Sequence, residues 1–435
     1  MDTVEQRAIR RISKRLIPLI TISFFINFLD RTNIGIAALQ MNRDLGLTAS
    51  MFGFGAGLFF VTYCILEVPS NLLLEKFGAR RWIARIMLTW GVIAGGMAFV
   101  QGSTSFYILR ALLGVAEAGF FPGMIFYLTM WFPEAYRGRA MSYLVVAAPV
   151  SFLIGGPLSG SLLNLNGLLN LRGWQWLFLI EAAPAIIMSV IILTMLTDRP
   201  SEAKWLAQDE RDWLTKQLNE ERRLRDGARS HSVIQALTSP KVLMLAAANF
   251  SVVLNVYGVV FFLPQIAKGF GVSDLRAGWI TAIPFIAATF GILWAGRRSD
   301  MQGERRFHTA VPIIAMALAM VVAASVQNPY VKMVAFSVVA FGAYCSIPPF
   351  WALPTTLLSG AAAAGGIALI NSIGNLGGFA GPWIMGLAKD ISGDFSTALL
   401  AMAVMDVIAV IIVLSFRAPP STMNQVKLRQ VSDKG

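Results

Sequence analysis

Charge is scarce in this sequence. Of its 435 residues only 14% are Asp, Glu, Lys or Arg, while 56% are hydrophobic; a soluble globular domain carries about a quarter charged residues. That balance argues against a water-soluble fold. Histidine and cysteine are nearly missing, with two of each. His231 and His308 fall in predicted loops and Cys64 and Cys345 in apolar runs. There is thus no disulfide framework and no metal-ligand spacing, and a redox or metal enzyme is not expected. No Gly-Lys pair occurs, so there is no Gly-x-x-x-x-Gly-Lys-Ser/Thr phosphate loop, which argues against ATP-driven transport by this chain alone. No nucleophile–base constellation appears, so no enzyme and no cofactor are expected.

What the sequence does have is long apolar runs, with a mean hydropathy of +0.63. They are about 20 residues long, the length that crosses a ~30 Å hydrocarbon core as a helix. The period-two alternation of a membrane barrel is absent. Twelve spans are predicted: 16–38, 52–74, 82–100, 106–130, 140–163, 174–196, 242–266, 277–295, 310–326, 331–353, 366–388 and 397–416. The first follows an Arg-rich leader, but its apolar segment is too long for a signal-peptide core, so it is read as a retained helix. The predicted fold class is an all-α polytopic membrane protein.

The net charge of +12 is explained by topology rather than by nucleic acid, which is not an expected partner. With the N-terminus assigned to the cytoplasm, 28 of the 36 Lys and Arg fall in cytoplasmic segments, six fall outside, and Arg31 and Arg110 lie within spans. The positive-inside rule then places both termini in the cytoplasm.

Residues 1–196 form a predicted six-helix half and 242–416 a second. They are joined by a charged, amphipathic cytoplasmic linker at 197–241, and a tail follows at 417–435. The halves repeat. Glu75, Gly78 and the Arg80-Arg81 pair after span 2 have counterparts in Asp300, Gly303 and Arg305-Arg306 after span 8, at an offset of 225 residues. Gly156-Pro157 and Gly381-Pro382 share that offset and are expected to let their helices flex. Parallel duplicated halves are the architecture of rocking transporters, with substrate bound at the interface between halves.

The loop after span 2 resembles the signature loop of the major facilitator superfamily, with departures: Asn71 stands where glycine is usual, Glu75 where aspartate is usual, and Ala79 is inserted. The copy with Gly296 and Asp300 is closer. Phe28-Leu29-Asp30-Arg31-Thr32-Asn33-Ile34-Gly35, Asn42-Arg43-Asp44-Leu45-Gly46-Leu47 and Gly173-Trp174-Gln175-Trp176-Leu177-Phe178 with Glu181 are similar to the anion:cation symporters. That branch includes bacterial permeases for tartrate, galactonate, phthalate and 4-hydroxyphenylacetate. The resemblance covers nearly the whole chain. It implies twelve helices in two pseudo-symmetric six-helix bundles in the bacterial inner membrane.

Asp30, Arg31, Arg110 and Glu117 would cost on the order of 10 kcal/mol if they faced lipid. They must therefore face protein or a wet cavity. Arg110 and Glu117 are two helical turns apart and share a face. An arginine fork suits a carboxylate, and a carboxyl in a partly dry cavity can exchange a proton near neutral pH. A purely structural salt-bridge network is the competing reading. The resemblance implies that Asp30 and Glu117 are the proton-coupling acids and that Arg110 is tied to the anion, with Arg31 following Asp30 as in the family. The repeat maps Arg110 and Glu117 to Ala335 and Gly342. The second half is therefore expected to supply neutral contacts: Trp351, Asn371 and Asn375, with Asn255 and Tyr257 behind them. Helix–helix hydrogen bonding is the alternative for the asparagines. Trp351 follows Pro348-Pro349, so a broken helix is expected to present it to the cavity, with ordinary packing as the alternative. Tyr63 matches a substrate-facing tyrosine in relatives, and Glu67 reads as a gate or structural acid. Glu181 and Asp406 read as lone structural acids. Glu75, Arg80, Arg81, Asp300, Arg305 and Arg306 are the expected gating residues, with positive-inside anchoring as the alternative.

The expectation is proton-gradient-driven uptake of a small organic anion, a hydroxy-carboxylate or sugar acid such as tartrate, by a chain functional as a monomer in lipid. Aromatic acids as substrate, and exchange or export as direction, are the alternatives. A nutrient sensor is a rival of another class, but the linker carries no recognisable signalling domain.

Overall fold

A computed structural model describes residues 3–227, 239–302, 304–357 and 360–416; of Arg222, Asp300, Gln302 and residues 224–227, 355–357 and 360–364 it describes the backbone only. The described residues contain helices and no strand. In chain order the helices are α1 (Val4–Leu45), α2 (Ala49–Phe77), α3 (Ala79–Gly96), α4 (Ser103–Glu117), α5 (Phe120–Trp131), α6 (Glu134–Leu162) and α7 (Gly173–Met195). They continue as α8 (Gln208–Gly227), α9 (Pro240–Lys268), α10 (Asp274–Gln302), α11 (Arg306–Ser325), α12 (Pro329–Leu357), α13 (Gly360–Ser392) and α14 (Ser396–Ser415). Among the described residues eleven segments are long and apolar enough to cross a membrane, α4 and α5 counting as one. α13 supplies the twelfth span. Apolar side chains such as Ile65, Leu72, Phe290 and Ile411 stay more than 60% exposed, the outer face of a bundle solvated by lipid.

Short polar turns reverse the chain. Gly46 ends α1 in the left-handed region at φ 64°, and the Thr48 hydroxyl then accepts the Met51 N–H at 3.2 Å to start α2. Such caps satisfy backbone groups that a helix end leaves unpaired. Because successive spans alternate in direction, both ends of the bundle can be named from the linker. α1 starts, and α7 and α9 meet the linker, at one end, the linker end; α2 starts at the other, the distal end.

Three sequence expectations change here. Span 4 is interrupted: α4 stops at Glu117, Gly119 adopts φ 84°, and α5 starts at Phe120. A Cβ at Gly119 would come within 2.4 Å of the Ser70 hydroxyl, so both the backbone angle and the space require glycine. The break frees backbone groups next to Glu117. Conversely, α12 continues through Pro348, Pro349 and Pro354 to Leu357. Helices tolerate proline in a membrane when neighbours re-satisfy the freed carbonyls, so Trp351 sits on a continuous helix. His308 also lies in the first turn of α11 rather than in a loop. His231 lies outside the described residues.

The described first part of the linker packs on the bundle. Arg7 pairs with Asp209, and Arg11 donates to the buried Glu210 at 3.0 Å, which lays α8 along the start of α1. Trp205 stacks on Trp131 at 5.4 Å and 17°, with the Arg15 guanidinium 5.0 Å from its ring.

Candidate functional site

The centre of the site is Arg31, on α1. One guanidinium nitrogen donates to Glu117 of α4, and the other lies 3.2 Å from the Tyr257 hydroxyl of α9. Glu117 belongs to the first half and Tyr257 to the second, so one side chain ties the halves together. Phe28, Phe59 and Tyr63 surround the guanidinium carbon at 5.2, 5.1 and 5.6 Å. Aromatic faces stabilise a cation there without competing for its donors. Arg31 keeps 11% of its side-chain exposure and Glu117 1%, so the pair is almost sealed.

Arg110 lies behind this pair. It is 1% exposed and donates to the carbonyl oxygens of Ala56 at 2.8 Å and Gly55 at 3.4 Å, with Phe59 at 5.1 Å. In this conformation its fork is spent on the backbone of α2 rather than presented to a ligand. Asp30 faces away from Arg31, because adjacent helical residues do not share a face. Its carboxylate accepts the Trp90 indole N–H at 2.6 Å, while its other oxygen has no partner. Glu181 accepts the Ser159 hydroxyl at 2.6 Å, with the Asn33 side chain against it.

Of the second-half candidates, Tyr257 reaches Arg31 directly. Asn371 of α13 instead donates to Glu67 of α2 at 3.0 Å, a second bond between halves. Asn375 is half-buried one turn further along, and Trp351 is half-buried and edge-on to Phe350 at 5.6 Å. Asn255 does not reach the interface: it is fully buried and bonded to Asp406 of α14 at 2.7 Å.

The expected gating residues divide. Glu75 is exposed. Arg80 engages Asp198 through its backbone N–H at 2.8 Å, so Asp198 caps the start of α3. Arg80 and Arg81 line a linker-end cleft with Arg15, Asp198 and Lys204. Since Arg31 is sixteen residues beyond Arg15 on α1, that cleft lies roughly 24 Å from the centre. In the second half Arg305 donates to Ser299 at 2.8 Å and Arg306 to the Leu414 carbonyl. The side chain of Asp300 lies outside the described residues.

The distal end is shut by backbone. A Cβ on Gly53 would lie 2.1 Å from the Pro382 oxygen, one on Gly386 2.2 Å from that of Ala49, and one on Gly156 2.5 Å from that of Gly278. α2 thus packs against α13, and α6 against α10, with main chains nearly touching, the close approach that small residues permit. Asp390 of α13 accepts the N–H groups of Ala49 and Ser50 at 3.1 and 2.8 Å, capping α2 from the opposite half. Sequence reading missed Asp390 and Trp90 because nothing local marks a cross-half cap or an indole aimed at a carboxylate.

The model for the Major Facilitator Superfamily matches residues 20–382 and 245–432. A protein of Agrobacterium vitis named "Putative tartrate transporter" is 50% identical over 96% of this chain and 96% of its own length. A quinolone resistance transporter of Acinetobacter baumannii is 42% identical over 92% of each chain. Among solved structures, a bacterial homologue of the human lysosomal transporter Spinster, captured inward-facing and unoccupied, superposes with a TM-score of 0.76 at 17% identity, covering 93% of this chain and 98% of that one. That likeness shows the fold. With two six-helix bundles meeting around Arg31, this chain belongs to the major facilitator superfamily and is a secondary transporter of small organic substrates.

Proposed function

We propose that this transporter couples uptake of a small organic anion, a hydroxy-carboxylate or sugar acid such as tartrate, to protons by alternating access. The observation that carries this reading is the single guanidinium shared between Glu117 and Tyr257. An arriving carboxylate competes with Glu117 for the Arg31 fork. A proton on Glu117 removes that competitor and frees the two parallel donors for the anion. Proton and anion therefore favour each other's binding, and linkage makes the effect reciprocal. Asp30 is the second proton-coupling acid on this reading. Arg110 supplies positive charge behind the site, and Tyr63 and Tyr257 offer hydroxyls that match those of the substrate. Asn371, Asn375 and Trp351 contribute as the second half moves. Lysine and arginine asymmetry supports a linker and both termini on the cytoplasmic side of a bacterial inner membrane. The closed distal end then faces the periplasm, and the chain acts as a monomer.

The test is uptake of labelled tartrate into proteoliposomes under outside-acidic and inside-acidic gradients, with galactonate and 4-hydroxyphenylacetate as unlabelled competitors. Accumulation driven by an acidic outside and lost in Asp30→Asn or Glu117→Gln is expected; accumulation that ignores the gradient in the unaltered protein, or gradient-driven accumulation that survives both substitutions, would defeat the proposal. A second reading, transport of aromatic acids, is favoured by the Phe28, Phe59 and Tyr63 rings around Arg31. The competition arm separates the two. Counterflow in the same vesicles tests exchange or export.

A further inference from the structure

Asp406 lies mid-span on α14, ten residues from its start and nine from its end, or roughly 14 Å from either terminus. It is 0% exposed. Its Oδ1 accepts the Ser251 hydroxyl at 3.0 Å and the Asn255 amide at 2.7 Å, both from α9. Asn255 is also 0% exposed and Ser251 1%.

The donors and acceptors of this cluster do not balance. Asp406 Oδ2 and Asn255 Oδ1 are both buried and neither has a partner. Two acceptors thus lack a donor within one sealed cluster. A hydroxyl on Asp406 supplies a donor, and it removes an unpaired charge that the surroundings do not neutralise. α14 packs against α9, α11 and α13. Their titratable groups are Lys241, Tyr257 and Lys268 on α9, Arg306 and His308 on α11, and Lys389 and Asp390 on α13. All but Tyr257 lie at helix ends, and the Tyr257 hydroxyl is turned to Arg31. α14 has no other charged residue. Among the described residues no cation pairs with Asp406 and no group of three or more His, Cys, Asp or Glu could hold a metal ion.

The internal duplication adds an independent observation. Asp406 is 225 residues after Glu181, the offset that relates the loop signatures and the Gly-Pro pairs, and Asn255 is 225 residues after Asp30. Glu181 is likewise buried, takes one hydroxyl bond from Ser159 and leaves Oε2 without a partner. Among the described residues the two halves thus each keep a carboxyl without a counterion at equivalent places, although the second half lacks the arginine and glutamate of the first.

We propose that Asp406 is a proton-binding site of the C-terminal half, loaded in this conformation and separate from the Arg31–Glu117 cluster. The proton lets α9 seat on α14. Two residues along α9 from Asn255, Tyr257 presents its hydroxyl to Arg31, so the seating of α9 is felt at the centre of the transporter. Loss of the proton leaves an unpaired carboxylate under α9 and favours a conformation in which water reaches it.

Infrared spectroscopy of the full-length protein in lipid nanodiscs, with carbon-13-labelled aspartate, tests this without substrate or gradient, so its failure is distinct from failure of the transport reading. Asp30→Asn removes the other buried, half-partnered aspartate among the described residues. At neutral pH that protein is expected to keep a labelled C=O band of a protonated carboxyl. Adding Asp406→Asn is expected to abolish it, and adding Asp406→Glu to move it out of the labelled set. Absence of the band in Asp30→Asn overturns the proposal, and so does its survival in either double variant. Should Asp406→Asn not fold, the Asp30→Asn spectrum and the Asp406→Glu variant still decide. An ionised aspartate whose band shifts on adding sodium would overturn it in favour of a cation site.

Discussion

Arg31 and Tyr257 are 226 positions apart in sequence and 3.2 Å apart in space, and the bond between them crosses the interface between the two halves. The same guanidinium holds Glu117. A hydrogen bond to a charged group contributes about 1.5–3 kcal/mol, enough to bias a two-state equilibrium by an order of magnitude or more.

Glu117→Gln keeps the shape of the side chain and removes the charge that competes for Arg31. Binding of tartrate to the variant in nanodiscs is expected to lose most of its pH dependence. Accumulation under a proton gradient should fall to background while counterflow persists. Equal loss of counterflow and gradient-driven uptake would instead make Glu117 structural.

Arg31→Lys retains charge but replaces a planar fork with a point charge, which cannot hold Glu117 and Tyr257 with the same geometry. A loss of about 1.5–3 kcal/mol corresponds to a rise in Kd of about 10- to 150-fold. Calorimetric titration of tartrate checks this, and the variant should bind no more weakly than Arg31→Ala.

The glycines at the distal end specify which state is compact there. Gly53→Ala places a methyl where the Pro382 oxygen sits at 2.1 Å, and Gly386→Ala does the same at Ala49. Backbone oxygens cannot swing aside as flexible side chains can, so the halves must part. Both variants are expected to lengthen the distance between spin labels at Ser50 and Ser392 and to favour a distal-open population. An unchanged distance distribution would show that the helices absorb the methyl locally.

Much of this was legible beforehand, and for definite reasons. Span number follows from hydropathy because the membrane permits few other structures, and the duplication from two matches at one offset. Arg31 and Glu117 could be placed at one site because intramembrane charges must converge, and Tyr63 joined them through the family resemblance. The use made of each group was harder to read. Asn255 reads as a ligand contact, yet it faces α14, because a residue's direction round a helix depends on packing that hydropathy does not encode. Glu181 and Asp406 read as lone acids although they share the repeat's own offset. The interruption after Glu117 was hidden because Ala118-Gly119 is apolar enough to continue the run; the break lies in the backbone angles, ψ 132° at Ala118 and φ 84° at Gly119.

At the linker end, Glu304 starts α11. Its carboxylate accepts the Phe307 N–H at 2.9 and 3.0 Å and the His308 N–H at 3.2 Å, and it lies 3.0 Å from the His308 Nδ1. Partial burial pushes this carboxyl up, but the bonds from Phe307, the His308 ring and the His308 backbone outweigh it and hold it below its ordinary value of 4.5. A carboxylate depressed in the folded state contributes stability above its unfolded pKa and loses it as pH falls through the lower, folded one. Glu304→Gln should therefore destabilise the start of α11 at neutral pH by about 1 kcal/mol, the usual worth of a helix-capping side chain. The difference from the unaltered protein should shrink as pH drops below roughly 4.5. Amide hydrogen exchange at Phe307 and His308 across that range is the measurement. A difference between the two proteins that stays constant into acid would mean that the cap acts through its shape rather than its charge.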